Sequence, residues 1–519
     1  MTPGLEANDS DDSDQVYGSG NNRDDPTDGS DGSTYESVNE EFLALEEDLD
    51  LFKWLISDVP VWERVRFDVN KRILKRTGVL GSAHERGSEG SRTAKARDFG
   101  HSLLTHNPYR TETADVLVFG HPRRKKLDDG YWWNIRCDPV IERLDEHVLT
   151  FESPHNHGHR RPAKTETLRY LDPIESLAEL RQCFGDGWSF TAENTARIER
   201  IDDEIRDRFG VDVDVGELIG SKLSSRRVRL PSYLSLVERV DPDVVVLTVS
   251  YGYGKATQIE ACKRLGVPVV ELQHGVIDPY HLGYSFPGDR TKWLFPDHLL
   301  VYGSFWRDSV EYPIPDDRVL PVGYPFMESR LSSHKGAETT DQVVFVSQGA
   351  IGDRLSRFAA ELADDPRFEP DIVYKLHPAE TARYPDEYPW LASADLRVAD
   401  GSDESLYDLF AGSTAQVGVY STAVYEGLRF GLRTYLVDFP GAVKLRPLVD
   451  DGVAALVDSV DDLVREEASA GEAVPFETTR FFEPSALEAV PEAIHRIREM
   501  ECGTLEGGSD DDTDTADNS

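Results

Sequence analysis

A chain of 519 residues exceeds the size of one ordinary hydrophobic core, so at least two domains are expected. The hydrophobic fraction of 39% is sufficient for two such cores. A formal net charge of -40 excludes nucleic acid as an expected partner, because its phosphates would be repelled rather than neutralised.

Arginine supplies most of the positive charge, since lysine accounts for only about 14 of the 56 basic residues. This acid-rich, lysine-poor composition resembles that of proteins from salt-accumulating haloarchaea. High salt would screen the self-repulsion that such a charge creates.

The four cysteines lie far apart and include no Cys-x-x-Cys pair, which predicts neither a disulfide framework nor a thiolate zinc site. No apolar run reaches the roughly 18 residues needed to span a bilayer, and the N-terminus lacks the pattern of a signal peptide. These observations predict a cytoplasmic protein, either soluble or bound peripherally at the inner face of the cell membrane.

Both ends of the chain, 1–35 and 503–519, are rich in Asp, Ser, Gly and Asn and are predicted to be disordered. Their acidic clusters are interpreted as solvated rather than metal-binding, because nothing would fix the geometry of the carboxylates. A helical lead-in is predicted over 36–98, where apolar residues recur at three- and four-residue spacing. Its aromatic residues Trp54 and Trp62 are expected to pack inside the protein, since the neighbouring acidic residues disfavour a membrane surface.

A first Rossmann-like domain is predicted over 99–331. The short apolar run Asp115–Gly120 indicates its first buried strand, and His121 follows at the carboxyl end, where open α/β sheets bind ligands. A strand, a helix and a second parallel strand are predicted for Val244–Val249, Ala256–Leu265 and Pro268–Gln273.

Three alternating histidines, His155, His157 and His159, follow further strand candidates in this domain. Alternating histidines can bind a metal, but no carboxylate or cysteine lies nearby in the sequence. A mobile loop that contacts an acceptor is the other interpretation, and no metal site is predicted.

A polar stretch, 332–341, suits a linker, and 342–484 are predicted to form a second Rossmann-like domain. The final helix, 485–502, is expected to cross back onto the first domain. The predicted fold class is therefore α/β, with two doubly wound domains that face each other across a cleft. Neither a G-x-G-x-x-G motif after a first strand nor a Walker lysine motif occurs, so a dinucleotide dehydrogenase or a P-loop enzyme is not indicated.

Four short motifs carry a family resemblance. They are Gln273-His274-Gly275 after a strand, Val322-Gly323-Tyr324-Pro325 near the domain junction, Lys375-Leu376-His377-Pro378, and Ser421-Thr422 followed by Glu426-Gly427. Together they resemble the GT-B glycosyltransferases, in particular the capsule-polysaccharide, bacterial sialyl- and Kdo-transferase and CDP-glycerol glycerophosphotransferase groups. The resemblance covers Asp243–Pro440.

The resemblance implies transfer of a sugar from a nucleotide-activated donor to a growing, lipid-linked surface glycan, with inversion and without a metal or another cofactor. Glycerophosphotransferases typically have Trp-His-Gly-Thr-Pro where this chain has Gln-His-Gly-Val-Ile, which favours a sugar over a glycerol-phosphate donor. A CDP-glycerol-type glycerophosphotransferase, a nucleotide-sugar 2-epimerase and a non-enzymatic nucleotide-sugar or glycan-binding assembly protein remain alternatives.

Glycosyl transfer requires a base that takes the proton of the acceptor hydroxyl. His274 is the candidate, because an imidazole titrates near neutrality and Gly275 leaves room for a substrate; the alternative is a histidine that bonds a turn. Asp278 is expected to orient the imidazole or to serve as the base itself. Gln273, Gly275 and His121 are weaker candidates for contacts with the acceptor.

The departing phosphate needs hydrogen-bond donors and positive charge. The resembling families use the His-Pro motif for this purpose, which assigns Lys375, His377 and Pro378 to the donor phosphate. The alternative for this segment is an exposed lysine and a proline that ends the strand.

The second domain offers further candidates for donor binding. Ser421 and Thr422 open a helix, where their hydroxyls can cap the helix while its free amides bind phosphate. Glu426 is expected to accept the protons of ribose hydroxyls, the alternative being a carboxylate that stabilises the helix dipole. The end of the domain's first strand could contact the base or the phosphate through Ser347, Gln348 and Gly349.

Overall fold

The computed structural model describes residues 34–79, 92–121, 124–127, 129–154, 158–184, 187–252, 254–334, 336–349, 351–401, 404–439, 441–470 and 477–506. Most of the two predicted tails, together with His155 and His157, lie outside these residues. Helix begins at Tyr35 and ends at Glu506, so it extends slightly into both ranges predicted as tails.

The lead-in contains α1 (Tyr35–Asp48), β1 (Leu55–Ile56), β2 (Val59–Pro60), α2 (Trp62–Arg76) and α3 (Arg92–Thr105). Trp54 and Trp62 are 3% and 0% exposed, which confirms that they pack inside the protein. Arg66 of α2 donates to Glu46 of α1 at 2.7 Å and to two carbonyls, of Leu282 and Ser285, at 2.8 Å. The lead-in therefore holds in place a loop of the first sheet that carries part of the site described below.

The next elements in the chain are β3 (Val116–Phe119), β4 (Lys125–Lys126), β5 (Trp132–Trp133), α4 (Asp138–Ile141), β6 (Val148–Glu152), β7 (Leu168–Tyr170), α5 (Asp172–Phe184), α6 (Ala192–Phe209), α7 (Val215–Val240), β8 (Val244–Leu247), α8 (Lys255–Arg264), β9 (Val269–Leu272), β10 (His298–Val301), α9 (Ser304–Asp308), β11 (Val319–Pro321) and α10 (Pro325–Ser333). Seven of these strands form a parallel sheet in the order β11-β10-β9-β8-β3-β6-β7. The strand order reverses between β3 and β8. In open α/β sheets, ligands bind at the carboxyl ends of the strands beside such a reversal.

The second sheet is built from β12 (Gln342–Val346), α11 (Gly352–Ala363), β13 (Asp371–Lys375), α12 (Tyr384–Glu387), β14 (Arg397–Ala399), α13 (Leu406–Gly412), β15 (Ala415–Gly418), α14 (Thr422–Arg429), β16 (Arg433–Val437), α15 (Arg446–Asp450), β17 (Ala454–Val457) and α16 (Val460–Ser469). Its six strands are parallel in the order β14-β13-β12-β15-β16-β17, with the reversal between β12 and β15. The prediction of two doubly wound α/β sheets is confirmed.

The last helix, α17 (Ala486–Glu506), crosses back onto the first sheet, as expected from the sequence. Its buried residues Ala493, Ile494 and Ile497 share a hydrophobic cluster with strands β3, β8 and β9. The segment before α17 passes very close to the end of β11. A Cβ on Gly323, where φ is +86°, would lie 2.3 Å from the carbonyl oxygen of Glu483. The Gly-Tyr-Pro motif therefore has a structural requirement for glycine, because no side chain fits there.

Gly323→Ala is expected to destabilise the protein more than Gly210→Ala does. Both glycines have φ in the left-handed region, but a Cβ on Gly210 would have no neighbour within 4 Å. The backbone strain alone costs about 1 kcal/mol, and the clash at Gly323 adds about 1–3 kcal/mol. Urea unfolding of both variants measures the difference, and equal losses of stability would contradict this account of the motif.

Candidate active site

Two groups of side chains lie at the carboxyl ends of the two sheets. We call the group around His274, at the ends of β3, β8 and β9, the first half-site. The group around His377 and Ser421, at the ends of β12, β13 and β15, is the second half-site.

His274 follows β9, and both of its ring nitrogens are hydrogen-bonded to tyrosines. Its Nδ1 lies 3.1 Å from the hydroxyl of Tyr284, and its Nε2 lies 3.0 Å from the hydroxyl of Tyr251. Tyr284 in turn donates its only hydroxyl proton to Glu271 Oε1 at 2.5 Å. Its oxygen can therefore only accept from His274, so Nδ1 carries the proton and the lone pair of Nε2 accepts from Tyr251.

Glu271 is the innermost member of this chain of hydrogen bonds. It lies within the apolar strand β9, is 0% exposed and also accepts from the backbone amide of Ser250 at 3.0 Å. Burial raises the pKa of Glu271 and raises that of Tyr284 well above its ordinary value. Tyr284 is thus held as a neutral phenol that links the carboxyl group to the imidazole.

The first half-site keeps His274 uncharged. Burial, together with the charges of Arg136, His281 and His121, lowers the pKa of His274 well below 6.5. The imidazole is therefore neutral at pH 7, with its proton-accepting nitrogen at Nε2. The expectation that it titrates near neutrality is wrong for this structure, because burial disfavours the charged ring. Tyr251 reaches this nitrogen because Gly283 lies against its ring; a Cβ there would come within 2.5 Å of Tyr251 Cδ1.

The other predicted residues of the turn have different surroundings. The side chain of Gln273 donates to the carbonyl of Gly275 at 2.8 Å and accepts from the amide of Tyr302 at 2.7 Å, so it ties the turn to β10. The tyrosines, rather than Asp278, orient the imidazole. Asp278 accepts from the amide of Tyr280 at 2.9 Å.

Asp278 and Lys444 bring opposite charges together from the two sheets. Burial raises the pKa of Asp278, and burial lowers the pKa of Lys444 to about 8, while each charge opposes the shift of the other. The ammonium of Lys444 also lies 4.5 Å and 5.1 Å from the rings of Tyr35 and Tyr420. This attraction acts at the junction of the lead-in and both sheets.

His121 lies just beyond β3, and its carbonyl accepts from Asn134 at 2.8 Å. Lys255, at the start of α8, donates to the carbonyl of Phe119 at 3.0 Å and thereby crosses the reversal between β3 and β8. Burial lowers the pKa of Lys255 to about 8. This lysine adds positive charge beneath the first half-site.

The loop after β12 contributes to the second half-site mainly through Gln348 and Gly349. Gln348 Oε1 accepts from the amide of Tyr420 at 3.4 Å, which bridges the reversal between β12 and β15. The Ser347 hydroxyl is buried instead, 2.9 Å from the Tyr374 hydroxyl and 3.1 Å from Glu380 Oε1. The predicted contact of the Ser347 side chain with the donor therefore does not fit the structure, because its hydroxyl is bonded inside the protein.

Lys375 and His377 turn toward different loops. His377 Nδ1 accepts from the amide of Ala379 at 3.2 Å, so its proton is on Nε2, and a Cβ on Gly349 would lie 3.9 Å from this ring. Lys375 Nζ would lie 3.1 Å from a Cβ on Gly401, on the other side of β13. Burial lowers the pKa of Lys375 to about 8. Pro378 follows at the strand end and is half-buried.

Ser421 is the N-cap of α14, and its hydroxyl accepts from the amide of Ala423 at 3.2 Å, which confirms the capping prediction. Thr422 is the first helical residue. Glu426 lies one turn further and accepts from the hydroxyl of Tyr407. Burial raises the pKa of Glu426 to about 7, so this carboxyl group changes charge near neutrality.

Several residues of the site carried no motif in the sequence. They are Tyr251, Glu271, Tyr284 and Tyr407. The one available signal was Glu271, because an acid inside the apolar run of β9 requires a buried partner.

Of the three alternating histidines, only His159 lies within the residues that the structure describes. This ring stacks on Tyr170 at 3.5 Å and lies 2.7 Å from Asp172 and 3.2 Å from Glu152. The expectation of no nearby carboxylate is wrong, because Glu152 and Asp172, 7 and 13 residues from His159 in the chain, both reach its ring. Within the described ranges, no group of three or more His, Cys, Asp or Glu residues is arranged to hold a metal ion.

No helix in the part of the chain that the structure describes is both long and apolar enough to cross a membrane.

No family model and no curated protein sequence matches the chain. Solved structures with a similar fold include UDP-GlcNAc 2-epimerase from Methanocaldococcus jannaschii, with 9% identity, 73% of this chain and 99% of that chain covered and a TM-score of 0.43. MurG from Acinetobacter baumannii has 11% identity, coverage of 73% and 99% and a TM-score of 0.42. The wall teichoic acid polymerase TagF has 10% identity, coverage of 79% and 94% and a TM-score of 0.39. These values are too low to transfer an activity to this chain.

The tautomer of His274 is directly measurable by nitrogen-15 NMR of histidine-labelled protein, with the signals assigned by their loss in His274→Gln. We expect the Nδ1–H form in the wild type. Tyr284→Phe removes the acceptor for this proton and should shift the equilibrium toward the Nε2–H form. Tyr435→Phe is the matched control, because Tyr435 donates to Glu467 at 2.5 Å in the other sheet. An unchanged His274 spectrum in Tyr284→Phe would contradict the assignment.

Proposed function

We propose that this protein is a GT-B glycosyltransferase that moves a sugar from a nucleotide-activated donor to a growing, lipid-linked surface glycan. The observation that carries the proposal is the neutral, oriented His274 in the first half-site. The cationic and amide-rich second half-site complements it. The proposed reaction is a single displacement with inversion that does not require a metal ion.

In the proposed reaction, His274 Nε2 accepts the proton of the acceptor hydroxyl as that oxygen attacks the sugar. The hydroxyl of Tyr251, 3.0 Å from Nε2, marks the position that the acceptor hydroxyl takes. When Glu271 is ionised, it stabilises the imidazolium through Tyr284, since a carboxylate at the end of a hydrogen-bond chain favours the charged ring. Tyr251 moves aside or remains as a bridge to the acceptor.

The second half-site supports the departure of the nucleotide. The amides at the start of α14, the Nε2–H of His377 and the ammonium of Lys375 are suited to accept the negative charge that develops on the phosphate. When it is ionised, the carboxylate of Glu426 is suited to accept hydrogen bonds from the ribose hydroxyls. In the proposed reaction, these protein groups supply the positive charge that a metal ion supplies in metal-dependent catalysis.

His274→Ala is expected to reduce sugar transfer by about 10²–10⁴-fold while donor binding stays unchanged, because a general base acts only on the acceptor. A thermal-shift panel of UDP-, CDP-, GDP- and CMP-linked sugars in molar salt identifies the donor, and product analysis then measures turnover. Full turnover by His274→Ala would remove the base assignment.

The same assay separates the other candidate activities. A 2-epimerase changes the donor when no acceptor is present, and a glycerophosphotransferase consumes CDP-glycerol. A binding protein stabilised by a donor would give no product with any acceptor. Each of these results would replace the proposed transferase activity.

Donor affinity is expected to depend on pH through Glu426. Its carboxyl group has a pKa of about 7 and must be ionised to accept hydrogen bonds from the ribose hydroxyls, which raises affinity about tenfold from pH 6 to pH 8. Lys375, with a pKa of about 8, loses about half of its charge over this range, so the expected net rise is about fivefold. Glu426→Gln should bind more weakly at pH 8 and lose this rise. Isothermal titration at both pH values tests the assignment, which fails if the variant keeps the wild-type pH dependence.

A further inference from the structure

The hairpin of β4 and β5 belongs to the first part of the chain but extends toward the second half-site. Its base is held by Arg124, which is 1% exposed. The Arg124 guanidinium donates to Glu152 at 2.7 Å, to Thr165 at 2.9 Å and to Asp138 at 3.3 Å. Because this anchor is buried and charge-paired, the residues that follow it have a defined position.

Lys125 is the next residue after the anchor and pairs with Trp133 across the hairpin. Trp133 contacts Phe326 of α10 at a ring distance of 5.9 Å, and Lys125 Nζ lies 5.8 Å from the same Phe326 ring. Phe326 in turn lies 5.7 Å from Tyr407, the residue that donates to Glu426. A continuous set of aromatic contacts thus places the Lys125 ammonium beside the second half-site.

Two groups of the second half-site respond to this charge. Lys125 adds to the lowering of the pKa of Lys375, which burial dominates and the charges of Asp400 and Glu380 oppose. Lys125 also opposes the burial that raises the pKa of Glu426. Two ammonium groups are therefore close enough to repel each other, in a chain with a net charge of -40. An anion bound between them would convert this repulsion into attraction.

We propose that Lys125 is a ligand of the donor nucleotide's phosphate, contributed by the first sheet to a site that is otherwise built by the second. The phosphate lies between Lys125 and Lys375, and the ribose lies toward Glu426. Donor binding thereby joins the two halves of the protein. This inference rests on the proposed function, since it names a further residue for the proposed donor.

Lys126 provides the matched control. It is adjacent in β4 and exposed, as Lys125 is, but it points to the opposite face because side chains alternate along a strand. Lys125→Met and Lys126→Met remove the same charge and keep similar side-chain lengths. General effects of net charge on an anionic ligand are therefore equal in the two variants, and only a direct contact distinguishes them.

The experiment is isothermal titration of the full chain with UDP, CDP, GDP and CMP, and with uridine, cytidine and guanosine, at one salt concentration. For the nucleotide that binds the wild type, Lys125→Met should weaken binding about tenfold or more, because it removes a charge-assisted contact. Lys126→Met should change it less than about twofold. Affinity for the corresponding nucleoside should be unchanged in both variants, since a nucleoside has no phosphate.

The outcomes separate this inference from the proposed function. If no nucleotide binds the wild type, the proposed function fails and the inference fails with it. If a nucleotide binds the wild type and Lys125→Met equally well, only the inference fails. A loss in Lys125→Met that is equally large for the nucleoside also overturns it, because the lysine would then act on the whole pocket rather than on the phosphate.

Discussion

The two half-sites can cooperate only if the two sheets are held together, and the return of the chain past Gly303 and Gly323 provides that constraint. The segment before α17 leaves the second sheet and forms hydrogen bonds with the first. The indole N–H of Trp306 donates to the carbonyl of Phe481 at 2.7 Å, and the amide of Glu483 donates to the carbonyl of Tyr302 at 2.8 Å. Neither glycine has room for a Cβ against this segment. The distance between the two half-sites is thus set by the packing at this junction, which is separate from the residues proposed to act in the reaction.

The fold was largely predictable because buried parallel strands and their crossover helices leave strong local patterns. The edge strands β7 and β17 were missed, since three- and four-residue strands with half-exposed positions leave a weak pattern. The predicted histidines indeed lie at strand ends. Their environments were not predictable, because Tyr284 and Tyr251 reach His274 from separate loops. The proposed contribution of Lys125 depends on residues about 200–300 positions apart in the chain, which no local motif records.

Four lysines with lowered pKa values supply positive charge in a chain whose composition is strongly acidic. Lys255, Lys292, Lys375 and Lys444 each have a pKa lowered to about 8 by burial. Two of them lie beneath the half-sites, and Lys444 attracts Asp278 between the sheets. A surface dominated by Asp and Glu repels anionic ligands at long range, but salt screens that repulsion beyond about 10 Å. The interior lysines act at shorter range, where screening is weak, so an acidic protein can still present a site for phosphate.

The hydrogen bonds of His274 distinguish between the two interpretations of the Gln273-His274-Gly275 motif. A histidine that only stabilised a turn would bond the backbone around it, whereas Gln273 performs that task here through Gly275 and Tyr302. His274 is instead held by side chains on both nitrogens, with a buried carboxyl group behind one of them. Burying that carboxyl group and a phenol is costly unless they are hydrogen-bonded, and here Tyr284 bonds both Glu271 and His274. The arrangement therefore supports the proposed role of His274, in which a neutral imidazole accepts a proton at Nε2.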